Sequence, residues 1–258
     1  MNMSMNISSN SNRGLYSIFS KLSSGKRINK AADDASGLAI AQKLLRNETG
    51  LNVGAQNARD GIGALNVADG AMGGIMDYLQ RINELSIRSM NGLYSDSDKQ
   101  AIQSEINGML QGIQSLAENT SLNEQKLLDG SMADMHLATN PSGGGLNIQM
   151  ENTTLKALGL EGYNVTGDFD LSVIKKAMDT VSSARANMGA YTNRLEHTYN
   201  NNMQTSENLL GARSRIEDLD IPKGVSEKQK QQLLSQYRIM AQKKQMQNKS
   251  SFNLRLLQ

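Results

Sequence analysis

The sequence contains no cysteine, no tryptophan and only two prolines among its 258 residues, and aromatic residues make up 4% of it. Because so few large rings are available, a thick globular core is not expected, and thin packing between long helices fits better. The lack of cysteine excludes disulfides and is compatible with either a cytosolic or an exported protein. No stretch approaches the roughly eighteen consecutive apolar residues of a membrane-spanning helix, so such a helix is not predicted.

The charge of the chain is balanced, because 27 Lys and Arg residues oppose 25 Asp and Glu residues to give a formal net charge of +2. This balance gives no chain-wide reason to expect binding to nucleic acid or to an anionic membrane, and neither partner is predicted. Residues 1–13 are polar and rich in Asn and Ser. They lack the apolar core of a signal peptide.

The run from Ser36 to Met90 contains no proline and carries apolar residues at intervals of seven. That repeat predicts a helix packed along another helix, and as one helix the run is about 80 Å long at about 1.5 Å per residue, which favours a rod. Glycines such as Gly54, Gly61 and Gly63 lie inside it, and each costs about 1 kcal/mol relative to alanine. Neighbouring helices must therefore stabilise the run. The alternative is that the glycines break it into two or three helices.

Three further helices are predicted from their apolar spacing. A short helix begins near Leu15 and ends near Gly25, and the following Asp33 or Asp34 is expected to cap the long helix. A second continues to about Leu116, and Ser97 with Gln100 or Ser95 with Asp98 offers its capping box. The period of seven then returns from residue 171 to about residue 217, interrupted by a polar Asn202 that is expected to fix helix register.

The positions predicted to pack this rod share the seven-residue period. They are Leu44, Leu51, Leu65, Met72, Leu79, Ile174, Val181, Met188, Leu195 and Leu209.

Between residues 119 and 170 the helical pattern disappears. Leu146, Ile148 and Met150 alternate with polar residues, and Met135 does likewise with Leu137 on the other side of a Pro-Ser-Gly-Gly-Gly turn. Alternation around such a turn predicts a small β-hairpin, followed by loops.

The tail from Val225 to Gln258 is helical in pattern and basic. Its charged residues are Lys228, Lys230, Arg238, Lys243, Lys244, Lys249 and Arg255, opposed only by Glu227. Such a run is typical of a solvated helix face, and the alternative function is contact with an acidic partner or polyanion.

No catalytic or cofactor-binding constellation is visible. The two histidines, His136 and His197, have no metal-ligand spacing, there is no cysteine nucleophile, and no glycine-rich segment follows the phosphate-binding pattern. We therefore predict no enzyme, no metal and no cofactor. Long helices with apolar seams are surfaces for association.

Several ordered motifs resemble those of bacterial flagellins. They are LSSGKRIN at 22–29, AADDASGLAIA at 31–41, NARDGI at 57–62, LQRINEL at 79–85, ARANMGA at 184–190, NRL at 193–195 and ARSRIED at 212–218. The resemblance covers most of residues 22–220, and the occurrence of several motifs in the family's order makes it specific.

The resemblance implies a mainly α fold, an elongated antiparallel helical bundle or coiled-coil rod with a small β-hairpin region. The implied divisions are an N-terminal core helix at 1–24, a connecting segment at 25–35, the N-terminal part of the rod domain at 36–118, the β-hairpin and loops at 119–170, the C-terminal part of the rod domain at 171–217, and a C-terminal core helix at 218–258. The short insert leaves no room for a projecting domain.

It also implies a function: a structural subunit of the flagellar filament, secreted to the bacterial flagellum and assembled for motility. Implied partners are further copies of the chain, an export chaperone, the type III export apparatus and the flagellin-sensing Toll-like receptor. The receptor or subunit contacts implied by matching motif positions are Gln80, Arg81, Glu84, Leu85 and Glu105. The alternative for these positions is a solvated helix face, with Leu85 filling the seam.

Three features depart from the flagellin pattern. The segment before Leu22 is short and lacks apolar heptads, Pro222 disfavours a helical Ile221, and the basic tail replaces a mostly uncharged terminal helix. They leave two alternatives open: a divergent secreted flagellin or hook–filament junction protein that does not build the bulk filament, or a helical binding module that uses its basic tail.

Overall fold

A computed structural model describes the backbone of residues 14–256 and the side chains of residues 14–248. The chain divides into two units. Unit 1 combines the residues up to Glu48 with those from Glu207 onward, and unit 2 is Thr49–Ser206. The expectation for residues 1–13 lies outside the described residues.

The described chain contains five helices and two two-stranded antiparallel sheets. The helices are α1 over residues 14–24, α2 at Ala35–Ser89, α3 at Asp96–Asn119, α4 at Ser172–Glu217 and α5 at Ile221–Leu256. The strands are β1 at Ser121–Leu122, β2 at Gln125–Lys126, β3 at Asp134–Ala138 and β4 at Gly145–Gln149. The predicted mainly α class with a small β-hairpin is confirmed. Among the described residues, none of the helices is both long enough and apolar enough to span a bilayer.

Helix α2 is continuous over 55 residues, so the alternative of a run broken at its glycines is wrong. Several of these glycines lie where another segment approaches closely. A Cβ at Gly61 would collide with Leu137, and a Cβ at Gly54 would collide with the carbonyl of Thr139. At these positions, close packing therefore offsets the conformational cost of glycine in a helix.

Helix α3 packs antiparallel to the C-terminal part of α2. Gly112 faces the ring of Tyr78, whereas Gly74 faces Leu116, so later residues of α3 contact earlier residues of α2. Ser95 and Asp98 form the capping box, with the Ser95 N–H donating to the Asp98 carboxylate at 2.9 Å. The pairing of Ser97 with Gln100 is therefore not the one used. The helix also runs three residues past its predicted end.

Helix α4 packs antiparallel to α2 within unit 2. The Arg185 guanidinium donates to the Asp69 carboxylate at 2.8 Å, while Gly61 faces Leu195. Seven of the ten predicted packing positions are fully buried, and Leu44, Leu51 and Leu209 are half-buried. The buried ones are Leu65, Met72, Leu79, Ile174, Val181, Met188 and Leu195.

The β3–β4 hairpin lies on α2 and α4. The side-chain amide of Asn57 donates to the Ala138 carbonyl at 2.7 Å, and that of Asn202 donates to the Thr139 carbonyl at 2.8 Å. Asn202 is 4% exposed, so this polar interruption in the apolar column of α4 is buried. Its side chain forms a hydrogen bond to the hairpin and does not pair with another helix. Side chains of α2 and α4 thus donate hydrogen bonds to two consecutive backbone carbonyls at the end of β3.

The β1–β2 hairpin was not predicted. Its turn places Asn123 and Glu124 at φ values of 50° and 66°. Asparagine tolerates this left-handed region, but glutamate gives no sequence signal for it. Strands of two residues are also too short to show alternation.

Unit 1 contains the segments that flank the long helices. The Lys26 ammonium lies 2.7 Å from the Glu217 carboxylate, and the Arg213 guanidinium lies 2.9 Å from that of Glu48. Asp34 caps α2 by accepting the Gly37 N–H at 2.8 Å. Gly25, at a φ of 68°, follows α1 as a left-handed C-cap.

The expectation that Pro222 disfavours a helical Ile221 is wrong, because α5 begins at Ile221. Pro222 lies in the first turn of the helix, where a backbone N–H has no intrahelical acceptor, so the missing N–H of proline costs no helical hydrogen bond. The Asp220 carboxylate accepts the Lys223 N–H at 3.1 Å and caps the same turn.

Candidate contact surface

The residues 80–85 of α2 divide between a surface and the core. Gln80, Arg81 and Glu84 are exposed, whereas Leu85 is 2% exposed and packs in the core. The division follows helical geometry, since Leu79, Ile82 and Leu85 recur at intervals of three and face inward. Leu85 therefore supports this surface from beneath, and its role as a contact residue stays a prediction.

Helix α3 brings Glu105 to the same surface. The Arg81 guanidinium lies 3.0 Å from the Glu84 carboxylate and 3.2 Å from that of Glu105. These hydrogen bonds, the one to Glu84 most of all, raise the pKa of Arg81 above its ordinary value. The ion pairs are exposed and add little stability by themselves, but they place the guanidinium within hydrogen-bond distance of both carboxylates. We call Gln80, Arg81, Glu84 and Glu105 the contact surface.

A partly buried polar pair lies one turn further along α2. The Tyr163 hydroxyl donates to the Ser86 hydroxyl at 3.0 Å, and Ser86 is fully buried. Burial raises the pKa of Tyr163, and the hydrogen bond to Ser86 offsets part of that rise. Gln103 of α3 holds the same segment by donating to the Tyr163 carbonyl at 3.0 Å. These residues were missed because the sequence places Tyr163 in an unpatterned loop.

Histidine chemistry has no convergent site in the described part of the chain. His136 on β3 meets Asn147 of β4 at 2.5 Å, whereas His197 lies on α4. Across the described residues, no group of three or more His, Cys, Asp or Glu side chains is placed to hold a metal ion.

The tail helix presents both charge and apolar surface. The ammonium of Lys228 lies 4.6 Å from the ring centroid of Phe19 on α1, which is a cation–π contact. Beyond Gly224, no described side chain of α5 is buried, and large apolar residues such as Tyr237 and Met240 are exposed. The side chains of Lys249 and Arg255 lie outside the described residues.

Two family descriptions match this chain. Residues 1–133 match "Bacterial flagellin N-terminal helical region" and residues 171–252 match "Bacterial flagellin C-terminal helical region". The helices α2, α3 and α4 that carry the core thus fall within these two helical regions.

Full-length relatives agree with this match. The chain is 35% identical over 243 residues to a flagellin of Halalkalibacterium halodurans, covering 92% of this chain and 89% of that protein. It is 33% identical over 237 residues to the flagellar filament 30.7 kDa core protein of Treponema maltophilum, covering 84% and 83%. The chain belongs to the bacterial flagellin family.

A solved structure shares the fold. The crystal structure of Bacillus cereus flagellin superposes with a TM-score of 0.51 at 23% identity, covering 57% of this chain and 88% of that one.

Proposed function

We propose that this chain is a structural subunit of a bacterial flagellar filament, exported and assembled outside the cell. The observation that carries the proposal is the match of both terminal helical regions, together with a relative that is itself named a filament core protein. The packing of α2 against α4 gives it a physical basis, because the two matched regions meet in one continuous core.

The terminal helices are proposed to form the inner part of the filament, with 1–24 and 218–258 as core helices joined through 25–35. Residues 36–118 and 171–217 are proposed to form its outer rod, with 119–170 as the β region. The exposed apolar side chains of α5 support this assignment, since Leu233, Tyr237 and Met240 are each more than half exposed. Apolar surface of this extent is expected to be covered in an assembly.

Electron microscopy of the purified full-length chain tests the proposal. Under polymerising conditions, with short filament fragments as seeds, we expect regular tubes. A matched sample of Tyr237→Ser with Met240→Ser removes two exposed apolar groups and is expected to remain monomeric with its helical circular dichroism unchanged. A wild-type chain that stays monomeric at high concentration with seeds present contradicts the proposal.

The contact surface is proposed to serve subunit packing and recognition by the flagellin-sensing Toll-like receptor. Its support is geometric, because Arg81 and Glu105 come from different helices and are held within 3.2 Å. Arg81→Ala is expected to weaken receptor signalling by monomers, with the exposed Arg194→Ala of α4 as the matched control. Equal signalling by both variants removes this role.

Export is proposed to use a dedicated chaperone and the flagellar type III apparatus, without cleavage of the chain. The support is membership of the bacterial flagellin family, whose relatives include a flagellar filament core protein. Mass spectrometry of the secreted protein is expected to find an uncleaved chain. Secretion that persists in cells lacking the apparatus contradicts the proposal.

A further inference from the structure

Two Asn-Gly pairs occur in the sequence, and they lie in different backbone environments. Asn91-Gly92 lies in the turn between α2 and α3, whereas Asn107-Gly108 lies inside α3. Asparagine before glycine can lose its side-chain amide in an intramolecular reaction, because glycine has no side chain to block the approach of its backbone nitrogen. Both pairs are exposed, so access to solvent does not distinguish them.

The pair in the turn leaves the attacking nitrogen available. The Leu93 N–H donates to the side-chain oxygen of Asn91 at 3.1 Å, so one small hydrogen-bonded ring holds the Asn91 side chain beside the backbone of Gly92. Within the described part of the chain, the Gly92 N–H itself has no acceptor. Neither residue of the pair is helical, so no helical hydrogen bond must break before the backbone rotates.

The pair in α3 is protected by its helix. The Gly108 N–H belongs to the hydrogen-bond ladder of α3, and the backbone of Asn107 is held at a helical ψ of about −42°. The side-chain oxygen of Asn107 accepts a hydrogen bond from Gln103 at 2.8 Å, just as that of Asn91 accepts one from the turn. The two pairs therefore differ in their backbone, and the pair in α3 reacts only when the helix opens locally.

We propose that Asn91 is a site of spontaneous modification, at which the asparagine becomes isoaspartate and aspartate through a succinimide. The Gly92 backbone nitrogen loses its proton and bonds to the Asn91 Cγ, and the Cγ–Nδ2 bond breaks to release ammonia. Water then opens the five-membered ring. Hydrolysis at Cγ gives aspartate, whereas hydrolysis at the Asn91 backbone carbonyl gives isoaspartate, whose backbone runs through Cβ and Cγ. Water is the one co-reactant.

Either product changes the turn. A carboxylate replaces a neutral amide, so the formal net charge of +2 falls by one. Isoaspartate also inserts a methylene into the backbone at the residue whose carbonyl accepts the Tyr94 N–H at 3.1 Å. The turn that leads to the Ser95 cap of α3 is therefore lengthened by isoaspartate, whereas aspartate preserves its length.

Peptide mass spectrometry of the full-length chain tests the proposal. Trypsin places the two pairs in separate peptides, residues 89–99 and 100–126. After incubation of the native chain at mildly alkaline pH, compared with a sample digested before incubation, we expect the mass gain of one amide-to-acid conversion at Asn91. We expect Asn91 to react at least about tenfold faster than Asn107, because a tenfold ratio needs only about 1.4 kcal/mol for the local opening of α3. Equal rates at the two sites, or no mass gain at Asn91, would overturn the proposal.

The nature of the product and the unfolded chain make the test specific. Electron-transfer fragmentation distinguishes isoaspartate from aspartate, and aspartate alone at Asn91 rules out the succinimide route. In guanidinium chloride the two rates are expected to become similar, because the residues that follow the pairs, Leu93 and Met109, are both large and apolar. A difference of the native size that persists in the unfolded chain shows that the fold does not cause it and overturns the inference.

Two glycine variants identify the attacking nitrogen. A Cβ at Gly92 or at Gly108 meets open space, so Gly92→Ala and Gly108→Ala are both expected to fold. The methyl group in Gly92→Ala hinders the attack, and the modification of Asn91 is expected to slow at least about tenfold, which corresponds to about 1.4 kcal/mol of added barrier. Gly108→Ala is the matched control and is expected to leave the rate at Asn91 unchanged. Equal rates at Asn91 in the two variants contradict an attack by the Gly92 nitrogen.

Discussion

Unit 2 and the terminal helices of unit 1 bury their apolar residues to different degrees. In unit 2, residues such as Met72, Ile75 and Val181 are wholly inaccessible, and the core draws on three helices, the β3–β4 hairpin and the loops that connect these elements. Along α5 from residue 225 to 248, by contrast, no side chain is buried. The comparison shows that unit 2 buries its apolar residues within one chain, and it supports the proposal that other copies cover the exposed surface of α5.

The largest contrast is expected between a core leucine and a tail leucine. Leu79→Ala removes a fully buried side chain and is expected to lower the free energy of unfolding by about 2–5 kcal/mol. Leu233→Ala, at a position 57% exposed, is expected to change it by less than about 0.5 kcal/mol while weakening assembly. Chemical denaturation of monomers and light scattering of assembling samples measure the two effects. Similar losses of stability would contradict the comparison.

The hydrogen bond between α4 and the β3–β4 hairpin gives the next effect. Asn202→Leu leaves the Thr139 carbonyl without its donor in a buried site, so a loss of about 1–3 kcal/mol is expected. Asn201→Leu, at the exposed neighbouring position, is the control and is expected to change little. Thermal unfolding of both variants measures the difference, and equal melting temperatures would show that the bond adds nothing.

Two glycines of α2 are expected to respond in opposite directions to alanine. Gly54→Ala forces a Cβ against the Thr139 carbonyl and is expected to destabilise unit 2 by about 1–3 kcal/mol. Gly70→Ala meets open space and is expected to stabilise it by up to about 1 kcal/mol. Denaturant titration of both variants measures the signs. Stabilisation by both would mean that the hairpin does not lie against α2.

The smallest effect concerns the pH dependence of the β3–β4 hairpin. Hydrogen bonds to Asn147 and then to the Gly143 carbonyl raise the pKa of His136 above its ordinary value of 6.5. Since the folded pKa is the higher one, the stabilising contribution is fully present below pH 6.5 and is lost as the pH rises through the folded pKa. NMR titration of the His136 ring measures this shift, and Asn147→Ala is expected to reduce it. A ring pKa that Asn147→Ala leaves unchanged would show that the Asn147 hydrogen bond does not cause the shift.

The sequence predicts the long helices well because their pattern is repeated many times. In α2 and α4, every seventh position lies on the same buried face, so local exceptions such as Gly54 do not obscure the seven-residue apolar period. The β3–β4 hairpin is predictable for the same reason, since Leu146 and Ile148 alternate on one strand. Repetition averages out the weak preference of any single residue.

Other features depend on partners that are distant in the sequence. The polar Asn202 is visible in the apolar column, but its acceptor, Thr139, is 63 residues away and carries no signal. The choice between Ser95 and Ser97 as the helix cap depends on where the preceding turn ends. The contact surface follows the same rule, because Arg81 and Glu105 are joined only once α3 folds back on α2.

Hydrogen exchange before and after assembly tests the central comparison most directly. In the monomer, amides of α2 between residues 49 and 89 are expected to exchange slowly, and those of α5 between residues 226 and 248 are expected to exchange fast. On assembly, the α5 amides are expected to become protected while those of α2 change little. Protection of α5 that is already complete in the monomer, or that does not rise on assembly, would contradict the assignment of α5 as a surface completed by other copies.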